Sequence, residues 1–384
     1  LYNDLPIQDH QATVYGFGNY WNSWPQAGHM SGELVNNKLF FVYDSPTGDM
    51  FQFWAYDRVR KINYFIENMP LYEASFPADK INAWLGEAYF CRAYYYFAMV
   101  NRYGAVPLVK EVKNYPETSI EELQIPRNTQ QEGWDFIAED LDKAIELLPE
   151  ESLMRGRVNK YVAYGLKSRA MLYAASLCLF DTPVSGYEEL LGMPASKAQS
   201  YYQAAYDAAS KLDGKYSLYN KHTDKFENYW NLFLDEDNPE VIFAKYYQYP
   251  DKTHSWDVHQ VPFQVRGPEG YSSILNPTLE IVELFDDING NPFVLKTTDT
   301  NGNPIRYDNP YDIFKDVEPR LRGSVILPND VYKDEVIEIR KGIWSSFSNG
   351  ELKTTTDFSA MYQNMPIMGK SGMGHNETTT TGFF

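Results

Sequence analysis

The sequence predicts a mainly α-helical protein in which tetratricopeptide-like helical hairpins form a divergent α-solenoid, followed by a loop-rich region that contains short strands. Two observations on the first 215 residues predict the solenoid. Apolar residues recur every three or four positions, and these periodic segments are rich in alanine and tyrosine. A third observation predicts the loop-rich region, because turn residues and aperiodic stretches replace the helical pattern from Tyr216 onward. The helix pairs are spaced irregularly and further apart than the ~34 residues of a regular array, which makes the solenoid divergent.

Five amphipathic helices are predicted after an irregular N-terminal segment. Pro70 ends the first helix, and Gly104 can adopt the left-handed conformation that closes the second. Two pairs of residues, Thr129–Glu132 and Ser196–Gln199, have the spacing of capping boxes and mark helix starts. The predicted helices are Phe51–Met69, Asp79–Tyr103, Thr129–Leu148, Asn159–Phe180 and Ser196–Gly214.

The second predicted helix carries eight aromatic residues and two arginines between Trp84 and Tyr103. We expect the adjacent tyrosines Tyr94 to Tyr96 to pack inside a helix pair. A guanidinium drawn into a core must find stacking or hydrogen-bond partners there. Arg92 and Arg102 both follow the three- and four-residue spacing of the apolar positions, so either guanidinium needs such partners if it is drawn into the core.

Composition and charge exclude several classes of protein. Hydrophobic residues make up 43% and charged residues 22% of the 384 residues, which is typical of a folded globular protein. The formal net charge of −18 argues against nucleic acid or an anionic membrane surface as the main partner. No apolar run approaches the ~18 residues of a membrane span. Cys91 and Cys178 lie in apolar helical contexts and are predicted to be buried thiols, with a disulfide between them as the alternative.

The chain is predicted to divide near residue 215. Residues 1–215 comprise the N-terminal segment and the helical region, and residues 216–384 form the loop-rich region of one integrated fold. Asn238–Gln248 is predicted as a short strand or an extended segment. A helix is predicted to begin at Asn276 or Pro277, with a turn after it at Gly290. Since long loops in compact domains are more often functional than idle, we expect them to supply a binding site on the helical frame.

No motif of nucleophilic, zinc-dependent or phosphate-binding catalysis is present in the sequence. His254 and His259 lack a nearby third ligand and helical spacing, so they are interpreted as polar loop residues. The Asp-x-Asn-Gly-Asn segments at Asp287 and Asp299 resemble calcium loops, but an early glycine and the lack of a closing glutamate favour hairpin turns. No cofactor is therefore predicted, and a structural calcium ion stays open as an alternative. Carboxylates are too abundant for a glycosidase pair to be selected or excluded.

Aromatic residues are in excess: the chain has 31 tyrosines, 22 phenylalanines and 8 tryptophans. Most belong to the predicted helical core, but rings in Gly-, Pro- or Ser-containing loops have less packing reason to be there. Flat rings beside amide and guanidinium groups form a surface on which sugar C–H faces stack while hydroxyls find hydrogen bonds. Local loop packing is the alternative for each ring. The candidate ligand-binding residues are Trp21, Asn22, Trp24, Trp256, Tyr271 and Trp344.

Several segments carry a family resemblance. EAYFCRAYYYF at residues 87–97, followed by RYGAVPLV at residues 102–109, resembles the signature of the SusD/RagB family. Further segments resemble the family and follow its order along the chain. These are AYDRVRKINYFIENMP, RGRVNKYVAYGLKSRAMLYAA, NPEVIFAKYY, NPTLEIVELFDDINGNP and EPRLRGSVILP.

The resemblance implies a nutrient-binding lipoprotein on the outer-membrane surface of Bacteroidetes, with tetratricopeptide-like helix pairs packed against a loop-rich region that carries the ligand site. Such a protein captures oligosaccharides, or peptides in some members, and passes them to a SusC-like TonB-dependent transporter. The resemblance also implies that the protein is not an enzyme. Oligosaccharide binding is the predicted function. Peptide binding by the same fold and a secreted glycoside hydrolase of the α/α type are the alternatives.

Two features of the family are not part of the printed sequence. One is its lipid-bearing N-terminal cysteine, and the other is a set of further C-terminal helices beyond the position of Phe384. We therefore expect contact with the membrane only through a lipid anchor outside this chain. The further helices are expected to be truncated or supplied by another segment. Ligand residues vary too much among members to be transferred, so the candidates above rest on loop position alone.

Overall fold

A computed structural model of the protein describes most of the chain between residues 53 and 337. The described residues are Tyr2, Leu5, 31–36, 53–236, 238–247, Pro262, Val265, 275–305, Tyr307, 309–337, 344–348 and 351–355. They belong to two compact units, and each unit combines segments that are distant in the sequence. Unit 1 is made of the described parts of Leu1–Pro6, Phe51–Leu218 and Pro239–Tyr246. Unit 2 is made of the described parts of Ile7–Met50, Tyr219–Asn238 and Tyr247–Phe384.

Unit 1 is a stack of helices that follow one another in chain order. The long helices pack in sequence, α1 on α2, α2 on α4, α4 on α5 and α5 on α7, which confirms the predicted helical hairpins. Short 3-10 turns occupy Met69–Tyr72 and Ala195–Lys197. The helices are α1 (Tyr56–Asn68), α2 (Ala78–Tyr103), α3 (Ile120–Leu123), α4 (Gln130–Leu147), α5 (Lys160–Phe180), α6 (Glu188–Leu191) and α7 (Ala198–Ser210).

Helix ends in unit 1 follow local side-chain chemistry. The predicted capping box before α4 is present: the Glu132 N–H donates to Thr129 Oγ1 at 3.2 Å, and the Thr129 N–H donates to Glu132 Oε2 at 2.7 Å. Asn159 caps α5 by accepting the Val162 N–H at 3.0 Å. Gly104 has φ of 67° and closes α2, as predicted from its lack of a Cβ.

The predicted Ser196–Gln199 capping box is wrong. Ser196 lies inside the 3-10 turn, in which the Lys197 N–H donates to the Pro194 carbonyl at 2.9 Å. Because Ser196 belongs to this turn, it does not occupy the N-cap position that a capping box requires. Helix α7 therefore begins after Lys197, whose side chain makes no capping hydrogen bond.

One hydrophobic core runs through unit 1 and takes buried side chains from all five long helices. Tyr95 and Tyr96 of α2 are 0% exposed, and Tyr94 packs against the same core, so the predicted internal packing is confirmed. Cys91 and Cys178 are free buried thiols, also as predicted.

Arg92 is buried in this core and has the partners that its burial requires. Its Nε and Nη2 each donate to an Asp140 carboxylate oxygen at 2.7 Å, and Nη1 donates to Asn63 Oδ1 at 2.8 Å. Burial lowers the pKa of Arg92 and the Asp140 hydrogen bonds raise it, with the balance above its ordinary value. The charged pair thus ties α1, α2 and α4 together.

Unit 2 has shorter elements and three two-stranded antiparallel sheets in its described part. Its helices are α8 (Lys225–Leu234), α9 (Leu279–Glu283) and α10 (Pro319–Ser324), with a 3-10 turn at Pro310–Phe314. The strand pairs are β1 (Leu34–Asn36) with β2 (Leu275–Pro277), β3 (Val331–Tyr332) with β4 (Glu335–Val336), and β5 (Trp344–Ser348) with β6 (Glu351–Thr355). Helices α8 and α10 approach closely because Gly323 lacks a Cβ, which would lie 2.5 Å from the Tyr229 ring.

The helix predicted to begin at Asn276 or Pro277 starts later, after Thr278. Asn276 and Pro277 instead belong to β2, where they pair with Val35 and Leu34. The Thr278 hydroxyl accepts the Ile281 N–H at 3.3 Å and so caps α9. Strand pairing therefore overrides the helix start that the proline suggested.

The segment predicted as a short strand or extended piece has no strand in its described residues, 238–247. In unit 1 its Phe243 ring packs edge-on against Phe90 of α2, with 5.9 Å between ring centres.

Across the described residues, no helix has both the length and the apolar character that are needed to cross a bilayer.

Candidate functional site

A cleft of about 520 Å³ opens at one end of the α1–α2 hairpin in unit 1. Its volume lies within the range of roughly 300–1,000 Å³ that is typical of small-molecule sites. Five of its lining residues are aromatic, and two carry opposite charges. The lining residues are Tyr2, Phe65, Met69, Tyr72, Phe76, Trp84, Glu87 and Arg157.

Two prolines place the aromatic rings of the cleft. Pro70 lies in the 3-10 turn that follows α1, and Pro77 is the N-cap of α2, so residues 71–76 form a short exposed loop that includes the end of this turn. This loop carries Tyr72 and Phe76, whose exposed fractions are 54% and 42%. The Phe76 ring meets Trp84 of α2 edge-on, with 5.1 Å between ring centres. Tyr72 and Phe76 thus present large, partly exposed aromatic surfaces to the cleft.

A charged pair forms the polar side of the cleft. Glu87 projects from α2 and is 3% exposed. Arg157, from the loop before α5, donates from Nε to Glu87 Oε1 at 2.8 Å and from Nη2 to Glu87 Oε2. These hydrogen bonds raise the pKa of Arg157, so its guanidinium stays charged.

Tyr2 covers the guanidinium from the N-terminal segment of unit 1. The Arg157 guanidinium carbon lies 4.7 Å from the centre of the Tyr2 ring, a cation–π contact. The Val158 N–H donates to the Tyr2 hydroxyl at 3.1 Å. Burial raises the pKa of Tyr2, so the phenol stays neutral. The cleft therefore combines flat apolar rings with fixed donors and acceptors, the combination that stacks and hydrogen-bonds a sugar ring.

The Asp287 and Asp299 segments of unit 2 form two matching turns. Asp287 Oδ1 accepts the N–H groups of Asn289 at 2.8 Å and Asn291 at 2.9 Å. Asp299 Oδ1 accepts from the equivalent residues, Asn301 and Asn303, both at 2.8 Å. Each turn closes an isolated antiparallel bridge, as expected of the predicted hairpin turns. In the part of the chain that the structure describes, no group of three or more His, Cys, Asp or Glu side chains is placed to hold a metal ion.

Comparison with known proteins agrees with this fold. Residues 15–172 match the family model of SusD-like proteins, described as starch-binding and associating with the outer membrane. SusD-like protein P2 of Formosa agariphila is 30% identical over 148 residues. A SusD-like protein of Bacteroides fragilis is 26% identical, with a TM-score of 0.54 over 74% of this chain. Over residues 15–172 the chain is therefore SusD-like in sequence, and its fold is similar to that of a solved SusD-like protein.

Other solved structures share the fold of this SusD-like chain. A SusD-like carbohydrate binding protein of Bacteroides fragilis is 21% identical, with a TM-score of 0.54 over 74% of this chain. The predicted fold class, mainly helical and tetratricopeptide-like, is thereby confirmed. The alignments cover 52% and 47% of the two Bacteroides fragilis proteins. For the Formosa protein, the alignment covers 38% of this chain and 26% of that protein. This SusD-like chain thus spans about half the length of the solved structures that it matches.

The ligand-binding residues predicted from the sequence of this SusD-like protein stay predictions. Trp344 is the first residue of β5, and its backbone pairs with Thr355. The other candidates, Trp21, Asn22, Trp24, Trp256 and Tyr271, lie outside the described residues, as do His254 and His259.

Sequence reasoning missed the aromatic rings of the cleft. Tyr72 and Phe76 lie in MPLYEASFP, a stretch between prolines that resembles the loops from which the other candidates were chosen. The same criterion, aromatic residues in a proline-bounded loop, would have selected them. The Glu87–Arg157 pair had no such signal, because its partners are 70 residues apart.

Proposed function

We propose that this SusD-like protein binds oligosaccharides at the bacterial cell surface and delivers them to a SusC-like TonB-dependent transporter in the outer membrane. A lipid anchor outside the printed chain holds it there. The observation that carries the binding proposal is the cleft of unit 1, where exposed rings lie beside a fixed pair of hydrogen-bonding groups. The family description as starch-binding and outer-membrane-associated supports the same proposal.

The cleft favours binding over hydrolysis. Glycoside hydrolases use two carboxyl groups on opposite sides of the scissile bond. Among the described residues that line the cleft, Glu87 is the one carboxylate, and both of its oxygens accept hydrogen bonds from Arg157. Stacking and hydrogen bonding also need no cofactor, so we propose none.

Isothermal titration calorimetry tests the binding proposal. The probes are neutral hexasaccharides of glucose, xylose and mannose, acidic hexasaccharides of galacturonate and sulfated chondroitin, and a set of unstructured peptides. We expect saturable binding of at least one oligosaccharide without product formation. Saturable binding of peptides alone contradicts the proposal and favours peptide capture. Release of shorter sugars from a bound oligosaccharide contradicts it in favour of a glycoside hydrolase.

A pair of matched variants tests the cleft. Tyr72→Ala removes a half-exposed ring that lines it, and we expect a roughly threefold to tenfold loss of oligosaccharide affinity, as is typical of a lost aromatic stack. Tyr206→Ala on α7 is the control, because Tyr206 is 68% exposed and does not line the cleft. Equal affinities of the two variants would remove the cleft from the binding site. Trp256→Ala tests the loop prediction in the same titration.

Delivery is tested in cells that carry the transporter. Uptake of a fluorescent oligosaccharide is measured with and without this protein at the surface. We expect slower uptake without it, and equal uptake contradicts the delivery role.

A further inference from the structure

The charges that line the cleft cancel one another. Of its described lining residues, Glu87 and Arg157 are the two that carry charge, and the remaining six are aromatic residues and Met69. Glu87 and Arg157 are paired through two hydrogen bonds. A ligand that enters the cleft therefore meets apolar rings and a neutral ion pair.

The pair is fixed on both sides. The Glu87 side chain is 5% exposed and is carried by a long helix, α2. Arg157 is held by a turn in which its N–H donates to the Met154 carbonyl at 3.0 Å, and the Tyr2 ring covers its guanidinium. The guanidinium cannot move to another partner without leaving the Glu87 carboxylate buried and unpaired, which is costly.

An anionic ligand gains little from this arrangement. A carboxylate or sulfate group is bound well where a cation has no other partner, and the charge of Arg157 is already balanced by Glu87. The formal net charge of −18 adds a general repulsion of polyanions. An uncharged sugar can stack on the rings and hydrogen-bond to the edge of the pair without disturbing the charge balance.

We propose that the cleft is a subsite for an uncharged sugar residue and that Glu87 is the residue that sets this specificity. By neutralising Arg157, it discriminates against uronate and sulfated sugars. This inference rests on the proposed function, since it names the class of oligosaccharide that the same cleft takes.

Wild-type titrations give the first test. We expect binding among the neutral hexasaccharides and at least about tenfold weaker binding of hexagalacturonate and of the chondroitin sulfate hexasaccharide, equivalent to ~1.4 kcal/mol. An acidic hexasaccharide that binds as tightly as the best neutral one overturns the inference and leaves the proposed function intact. Absence of binding to every oligosaccharide contradicts the proposed function itself.

The variant Glu87→Gln gives the second test, because it keeps the shape of the side chain and removes its charge. We expect the affinity for hexagalacturonate to rise about tenfold above the wild-type value, since Arg157 becomes an unbalanced cation. The control is Asp142→Asn, which changes the net charge equally but acts outside the cleft, where the Asp142 side chain is 61% exposed and pairs with Lys167. No gain in Glu87→Gln, or an equal gain in the control, overturns the inference. Circular dichroism checks that both variants are folded. If Glu87→Gln is not folded, the wild-type comparison of neutral with acidic hexasaccharides decides alone.

Discussion

The two units of this SusD-like protein are held together differently. In unit 1, one core joins five long helices, and side chains as large as Trp134 and Tyr95 are fully buried. In the described part of unit 2, buried side chains form small clusters, such as Ile326 with Tyr332 and Ile337, and α8 contains no buried residue. Unit 2 relies more on turns, helix caps and short strand pairs.

This difference predicts how the loss of a single interaction affects the stability of each unit. A buried contact in unit 1 is shared by several helices, so its loss destabilises the whole core. A turn or cap in unit 2 is surrounded by solvent, so its loss destabilises only the residues around it. The cleft of unit 1 is held in place by this shared core, because Trp84 and Glu87 lie on the same helix that forms the centre of the core.

The largest effect is expected from the buried ion pair of unit 1. Arg92→Met leaves the Asp140 side chain, which is 2% exposed, without its counter-charge. Loss of one partner from a buried pair costs about 3–5 kcal/mol of the free energy of unfolding. In unit 2, Arg320→Met breaks the pair with Glu318, but the Arg320 side chain is 58% exposed, so we expect a loss of about 0–1 kcal/mol. Urea unfolding of both variants measures the difference.

The double variant Arg92→Met/Asp140→Leu shows whether the charge is the cause. It removes both partners, so we expect it to recover much of the stability that Arg92→Met loses. Equal losses in Arg92→Met and Arg320→Met would contradict the contrast between the two units.

A smaller effect is expected from the helix caps. Thr129→Ala removes the capping box of α4, and we expect a loss of ~1 kcal/mol in the free energy of unfolding, because α4 is part of the core. Thr129→Ser keeps the hydroxyl and serves as the control. Asp224→Ala removes the equivalent cap of α8, which has no buried residue, so we expect faster amide exchange within α8 and an unchanged global unfolding midpoint. A similar shift of the midpoint in both alanine variants would argue against the contrast.

The sequence predicted unit 1 better than unit 2 for physical reasons. The ends of α2 and α4 depend on residues within one turn, Gly104 and the Thr129–Glu132 pair, and were therefore readable. The start of α9 depends on the pairing of Pro277 with Leu34, which is far away in the sequence. Local patterns carry no information about such a partner, so a proline that suggested a helix start lies in a strand.

The candidate site shows the same limit. Its aromatic loop could have been predicted from the two prolines around Tyr72 and Phe76. The Glu87–Arg157 pair could not, because the contact forms only when the loop before α5 packs against α2. The sequence predicted that a guanidinium of α2 drawn into the core would need partners, but that Arg92 is paired with Asp140 depends on the packing of α4 against α2.

The smallest effect is expected from the paired turns of unit 2. Hydrogen bonds from Asn291 hold the pKa of Asp287 below its ordinary value, and hydrogen bonds from Asn303 do the same for Asp299. A carboxyl group whose pKa is lowered by folding stabilises the fold above its ordinary pKa of ~3.9 and loses this contribution as the pH falls through the lowered value. Acid should therefore weaken both turns.

The amide signals of Asn291 and Asn303 in an NMR titration follow this weakening directly. We expect both to shift with a midpoint below ~3.9, because the amide protons report the protonation of the carboxylates that they bind. Asp287→Asn keeps an acceptor oxygen but cannot titrate, so the Asn291 shift should disappear while that of Asn303 stays. A midpoint at or above the ordinary value would mean that the turns draw no stability from the charge of their aspartates. In that case the glycines of the two turns, with φ of 79° at Gly290 and 81° at Gly302, would be what holds them in shape.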